Sequence, residues 1–425
     1  MLDIKLLREE PEKVKKAIKL KGADPKIVDD FLKLDSSWRK ITGELENFRR
    51  EQKELSEKKN ISAAKEVKEK IKIKENELSG LEGERLSIWF GIPNLSSDDT
   101  PVGEDESFNK FLRSWGEPRK FDFTPKDHLE LGEALGIIDT KKASEVSGTR
   151  FNYLKGGAAL LEFALVRHGF KVLGDEKILK NIADKIKPGY NPKPFMPVVP
   201  PVFIKPDVYR RMARLEPTEE RYYIPSDDIY LIGSAEHTLG PIHMDETLKE
   251  SELPIRYIGF STAFRREAGS YGKDVKGILR VHQFDKLEME SFTLPEDSFD
   301  EQEFIVGVQE YLMQSLELPY QIIICSTGDQ GGPDFRHLDL ETWMPAQNKY
   351  RETHSADLMN DYQSRRLNTK VRRENGETQF VHMNDATAFA IGRTLIAILE
   401  NYQTKDGKIE VPKVLQEYVG QKIIG

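Results

Sequence analysis

Apolar residues recur in alternating steps of four and three from Ile27 to Leu55, by way of Phe31, Leu34, Trp38, Ile41, Leu45 and Phe48, the seam weakening at Gln52. After a turn at Asn60-Ile61-Ser62 the repeat resumes at Ala64 and runs through Val67, Ile71, Lys74, Leu78, Leu81 and Arg85 to Ile88. A 3.5-residue repeat paints a stripe that another helix must cover. Two runs of matching length with one break therefore predict an antiparallel coiled-coil hairpin over about 27–88. A shorter amphipathic helix pair is expected over 1–22. Residues 39–74, toward the tip, hold twelve Lys and Arg against seven Glu. That surplus of five positive charges leaves −13 on the rest of a chain whose total is −8. A basic element on an acidic body suits a polyanion such as RNA, although a charge-laced coiled coil also serves as a plain solvated spacer.

At 425 residues the chain exceeds one ordinary core, so two domains are expected. The stretch from Ile92-Pro93-Asn94-Leu95 to Pro101 breaks helicity and reads as a linker, dividing 1–105 from 106–425. Beyond it, helical patterns near 127–136 and 157–187 precede a proline-punctuated strand from Phe195 to Ile204. Strands follow near 229–236, 255–265, 279–291, 320–326, 337–344 and 378–385, then a helix from about 386 to 402. Consecutive strands without regular intervening helices predict an α+β fold on a largely antiparallel sheet flanked by helices. The single cysteine, Cys325, excludes internal disulfides and thiolate zinc clusters. With no signal-peptide pattern and no membrane-length apolar run, a cytoplasmic location without membrane attachment is expected.

From Leu279 to Glu290 the residues alternate with period two. One face carries Arg280, His282, Phe284, Lys286 and Glu288, the other Leu279, Val281, Leu287 and Met289. On the preceding run Phe260 and Phe264 lie opposite Arg265 and Glu267. Such a charged face is poor core material, because uncompensated buried charge is expensive. It suits a ligand bearing phosphates, an aromatic base and an ammonium, with Gly269, Gly272 and Gly277 letting the connecting loop close. The competing reading is a solvated hairpin with cross-strand ion pairs. Ser234 and Glu236, two apart on an expected strand, can jointly accept from an ammonium. Glu352 and Ser355 offer the hard oxygens that Mg²⁺ prefers when polyphosphate completes its shell. Arg393, in the opening turns of the last helix, combines with the positive helix end to favour a phosphate. Neither a phosphate-binding loop ending in Lys-Ser/Thr nor a dinucleotide fingerprint is present.

With these motifs the sequence resembles seryl-tRNA synthetases, the serine-specific class II aminoacyl-tRNA synthetases, nearly end to end. The resemblance includes Leu2-Asp3-Ile4-Lys5-Leu6-Leu7, the hairpin arm, Trp115-Gly116-Glu117-Pro118-Arg119, Asp127-His128-Leu129-Glu130 and Val146-Ser147-Gly148-Thr149-Arg150-Phe151. Class II motif 1 would span about 159–204 with Pro200-Pro201 near a dimer interface, motif 2 about 256–290, and motif 3 about 381–402. The implied architecture is an N-terminal tRNA-binding domain, 1–105, and a catalytic domain, 106–425.

The resemblance also implies roles. Arg265 and Arg393 would be the catalytic arginines. ATP would meet Arg265, Arg266, Glu267, Val281, Phe284, Glu352, Thr353, His354, Ser355 and Arg393, with Mg²⁺ on Glu352 and Ser355 and no zinc. Serine would meet Ser234, Ala235, Glu236, Arg265, Glu288, Asp385 and Thr387. A homodimer would charge tRNA(Ser), with tRNA(Sec) as a second candidate acceptor, held by the arm. The family usually carries Thr where Ser234 stands and Asn where Asp385 stands, and the second change adds a negative charge beside the amino-acid pocket. Two rivals remain at this level: a synthetase-like paralogue that loads an amino acid onto a carrier protein, and a non-catalytic coiled-coil RNA-binding protein.

Overall fold

The computed structural model describes residues 1–268 and 276–425, which form two compact units, Met1–Ser96 and Ser97–Gly425. In the first, α1 (Ile4–Glu9) and α2 (Pro11–Leu20) precede two long helices, α3 (Lys26–Glu57) and α4 (Ile61–Gly91). The break falls at Asn60, whose side chain accepts from the Ala63 N–H and caps α4. Leu45, Val67 and Ile71 form the buried centre of the hairpin. Near its base, Arg85 occupies a seam position that the repeat reserves for apolar residues. Its charge is met by Asp35, which is fully buried and also takes Arg8 at 2.8 Å and Arg39 at 3.1 Å. Phe31, Trp38 and Trp89 ring the Arg85 guanidinium at 5.5, 4.7 and 5.2 Å, where cation–π attraction offsets part of its lost hydration.

The second unit is built on eight strands: β1 (Lys110–Trp115), β2 (Met196–Val198), β3 (Ile255–Phe264), β4 (Gln283–Thr293), β5 (Tyr320–Ile324), β6 (Arg336–Met344), β7 (Lys349–Asn360) and β8 (His382–Ala390). Their order in the sheet is β1-β5-β6-β7-β8-β4-β3-β2. Every neighbouring pair is antiparallel except β2 and β3. Helices α5 (Gly157–Leu173), α6 (Glu176–Ile186), α7 (Glu236–Leu239), α8 (Ser298–Ser315) and α9 (Ile391–Asn401) complete the frame. Leu287, Met289, Leu338, Leu340, Ala386 and Ala388 join residues of α5, α8 and α9 in one core on one face of the sheet. Gly169 is needed there, since a Cβ would stand 2.3 Å from Leu287 Cδ2. The alternate residues point to the opposite face, which is where the charged side chains gather.

Several boundaries differ from the sequence expectation. The strand expected from Phe195 to Ile204 is two strands in different sheets, Met196–Val198 and Phe203–Ile204, because Pro200 and Pro201 supply no N–H to a ladder. The strand expected over 229–236 ends at Leu231, so Ser234 and Ala235 lie in a turn and Glu236 opens α7. Regular pairing in the 279–291 run begins only at Gln283. The helix expected from 386 starts at Ile391, which puts Asp385 and Thr387 on β8. Residues 386–390, four apolar and one Thr, look alike in either conformation when nearly all are buried. Gly269 and Gly272 lie outside the described residues.

Candidate active site

The uncovered face of the sheet forms the floor of a cavity of about 850 Å³, walled by β4, β6, β7, β8 and the start of α9. Two bulges set its chemistry. Leu340 pairs with His354 and Glu341 with Glu352, leaving Thr353 as an extra residue in β7. That insertion brings Glu352 and Ser355, three apart, to the same cavity face, which a regular strand would not do. Ala388 is extra in β8 in the same way, because Leu287 pairs with Phe389 and Glu288 with Thr387.

At one end of the cavity stand two arginines and a phenylalanine. The Arg265 guanidinium lies 5.3 Å from the Phe284 ring centre, and its Nε donates to the Gly233 carbonyl at 3.0 Å. Arg393, third residue of α9, holds the Glu352 carboxylate at 2.9 Å and donates to the Glu352 backbone carbonyl at 3.1 Å. Glu267 and Arg280 pair at 3.3 Å on the wall, with Val281 beside them. This end presents fixed cations and an aromatic ring, groups that can take phosphates and a flat base.

At the other end is a nest of carboxylates. Lys286 Nζ sits 2.7 Å from Glu288, 3.1 Å from Ser234 Oγ and 3.9 Å from Glu236. The Ser234 hydroxyl donates in turn to Glu236. Burial, the Glu236 charge adding to it, pushes Glu288 up to about 8 against the pull of Lys286. Glu236 is held well below the usual carboxylate range, since Lys286, His237 and Arg214 outweigh the cost of its burial. Asp385 is raised well above its ordinary value by burial among other carboxylates, against the pull of Arg214. Thr387 Oγ1 lies 3.4 Å from Ser355 Oγ and links the nest to the strand of Glu352.

Both halves of the chain match known proteins. A family model described as the seryl-tRNA synthetase N-terminal domain matches residues 1–96. Another, the tRNA synthetase class II core domain (G, H, P, S and T), matches residues 220–402. A serine–tRNA ligase of Dictyoglomus turgidum is 40% identical over 443 aligned positions, spanning 99% of this chain and 98% of that one. The chain belongs to the seryl-tRNA synthetase family. The crystal structure of seryl-tRNA synthetase from Pyrococcus horikoshii complexed with ATP has a TM-score of 0.89 at 36% identity, covering 100% of this chain and 99% of that one. The cytoplasmic serine–tRNA ligase of Naegleria fowleri with AMP has a TM-score of 0.86 at 33% identity, covering 100% and 98%.

Of the residues that family resemblance singles out, Arg265, Glu267, Val281, Phe284, Glu352, Thr353, Ser355 and Arg393 line the cavity, as do Glu236, Glu288, Asp385 and Thr387. Four others are not brought to its wall. Ala235 is buried in a separate apolar cluster with Leu239 and Met383. The His354 ring packs toward Phe389 at 6.0 Å, and burial lowers it to about 3, so it stays neutral in the interior. Arg266 lies over the Tyr222 ring at 5.3 Å. Ser234 stands behind Glu236, buried, and reaches the nest only through its hydrogen bonds.

Several cavity residues were not foreseen, namely Arg214, His337, Asp339 and Asp357. His337 is wedged between Asp357 on one ring nitrogen and Asp339 at 3.0 Å on the other. Although burial alone would lower it, those two carboxylates hold it well above its ordinary value, as an imidazolium. The run His337-Leu338-Asp339-Leu340-Glu341 carried the signal, since its charged residues alternate with core leucines. Arg214 lies in a loop and had none.

Proposed function

We propose that the chain activates serine with ATP and Mg²⁺ to seryl-adenylate, then transfers the seryl group to the 3′ end of tRNA(Ser). The observation that carries this reading is that one cavity joins the Arg265–Phe284–Arg393 end to a carboxylate nest already occupied by an ammonium, that of Lys286. In this reading Phe284 stacks on adenine, Arg265 draws the α-phosphate and the serine carboxylate together, and Arg393 takes the γ-phosphate. Glu236 and Glu288 hold the serine ammonium, with Ser234 and Thr387 completing the polar pocket. The serine carboxylate attacks the α-phosphorus and pyrophosphate leaves. A ribose hydroxyl of the tRNA terminus then attacks the acyl carbon and AMP leaves. No side chain acts as nucleophile, since positioning and charge neutralisation suffice.

Mg²⁺ fits the oxygen donors present. Glu352 and Ser355 share a cavity face, and one carboxylate with one hydroxyl is the sparse protein shell this ion takes when phosphates and water fill the rest. When bound it would neutralise charge on the departing pyrophosphate. The arm over about 27–88, within the 1–105 domain, is the proposed tRNA-binding element. A homodimer through the motif 1 region is supported by Leu160, Phe163, Met196 and Val199, all exposed apolar side chains. Among the described residues no helix is long and apolar enough to cross a membrane, in keeping with a proposed cytoplasmic location.

The test is ATP–pyrophosphate exchange across all twenty amino acids, in which serine should stand alone. Equal exchange with threonine, alanine or cysteine would reject the serine reading. A pH dependence should accompany it. Glu288 is neutral below about 8 and ionised above, and only the ionised form pairs with the serine ammonium. The KM for serine should therefore fall on the order of tenfold between pH 6.5 and 8.5, while the KM for ATP stays level. Glu288→Gln should flatten that profile; an unchanged slope in this variant would assign the titration elsewhere.

A further inference from the structure

We propose that Arg214 is a positioning residue that fixes the charge of the amino-acid pocket and so sets its preference for serine's neutral hydroxyl over a second ammonium. The inference rests on the reading that this cavity activates serine. Four carboxylates surround the one guanidinium: Asp385 at 3.1 Å, Asp357 at 3.5 Å, Asp334 at 3.6 Å and Glu236 at 3.9 Å. The Arg214 side chain is 16% exposed and the four carboxylates are 3–9% exposed, so water screens little of this charge.

The other cations nearby are engaged elsewhere, Lys286 with Glu288 and His337 with Asp357 and Asp339. Asp385 has no such alternative. Its register neighbours across β4 and β7 are Glu290 and Asp357, both carboxylic side chains. Among the described residues Arg214 is the only cation within ion-pair distance of it. Glu290 is fully buried, its carboxyl oxygens make no hydrogen bond, and burial with the neighbouring Asp385 raises it well above its ordinary value. Burial raises Asp385, and Arg214 is thus the cation that draws it back toward the ionised form, so that the pair adds no net charge to the pocket. The nest is left with Glu236, joined by Glu288 once that residue ionises, to meet one substrate ammonium. Without Arg214, Asp357 and Glu236 would lose one of the cations that offset their charge, and that surplus beside the ligand would favour a second cation.

The experiment compares the wild-type chain, Arg214→Gln, Asp385→Asn and the double variant in pyrophosphate exchange. The substrates are serine and 2,3-diaminopropionate, the isostere in which an ammonium replaces the hydroxyl. Asp385→Asn alone should lower kcat/KM for serine by less than about tenfold, and Arg214→Gln alone should raise the serine KM roughly 30-fold or more. Arg214→Gln should also shift preference toward 2,3-diaminopropionate by about tenfold, with the ATP KM within roughly threefold of wild type. The double variant should return serine to within about tenfold of wild type and remove the gain for the diamine. Absence of that rescue, or a parallel rise in the ATP KM, would reduce Arg214 to a structural part and overturn the proposal. Should Arg214→Gln fold poorly, Arg214→Lys keeps the charge and must keep the serine preference; a Lys variant favouring the diamine overturns it equally. Wild-type exchange in the same assay tests the parent reading separately.

Discussion

Alanine at Arg265 or at Arg393 should each cost on the order of 2–4 kcal/mol of transition-state stabilisation, read as a roughly 30- to 1,000-fold slower exchange. Both side chains are held before any ligand arrives. Arg265 is tied to the Gly233 carbonyl at 3.0 Å and stands over Phe284, and Arg393 is tied to Glu352 through its carboxylate and its backbone. Such pre-ordering is what makes a cation effective against charge developing in the transition state, because little reorganisation remains. Lysine at either position keeps the charge without the planar fork and should recover only part of the loss. Rates within a few-fold of wild type in either alanine variant would remove that arginine from the mechanism.

Replacing residues 36–84 with a short turn should abolish tRNA charging while leaving exchange with free serine nearly intact. The deletion removes the whole basic stretch 39–74 but spares Asp35 and Arg85, whose 2.7 Å ion pair closes the base of the hairpin. The cavity residues all lie beyond 105. Wild-type charging should also weaken steeply with salt, as counterion release from a polyanion demands. An armless variant that charges at the full rate would place tRNA recognition elsewhere.

The hairpin was legible because its information is local. Every seam position from Ile27 to Ile88 is buried or half-buried, as steps of three and four require. The Asp35–Arg85 pair was not, since 50 residues separate its members and neither position alone names its partner. The cavity was half legible. Phe284, Lys286 and Glu288 alternate visibly on one strand, whereas Glu352 and Ser355 share a face only through the extra residue at Thr353, which no period-two pattern foretells. His354 shows the reverse error. A polar ring inside a functional run was carried into the site by resemblance, while the strand turns it into the core. Arg214 entered only through the fold, because the loop that bears it has no periodicity and its four partners come from four separate segments.

The most direct measurement of the central claim is aminoacylation by the full-length chain with ATP, Mg²⁺, labelled serine and total tRNA, with the acylated species separated and identified. The account predicts serine esterified to tRNA(Ser), lost when the arm is removed. Label on a carrier protein instead, or seryl-adenylate formation with no acylated tRNA, would contradict it.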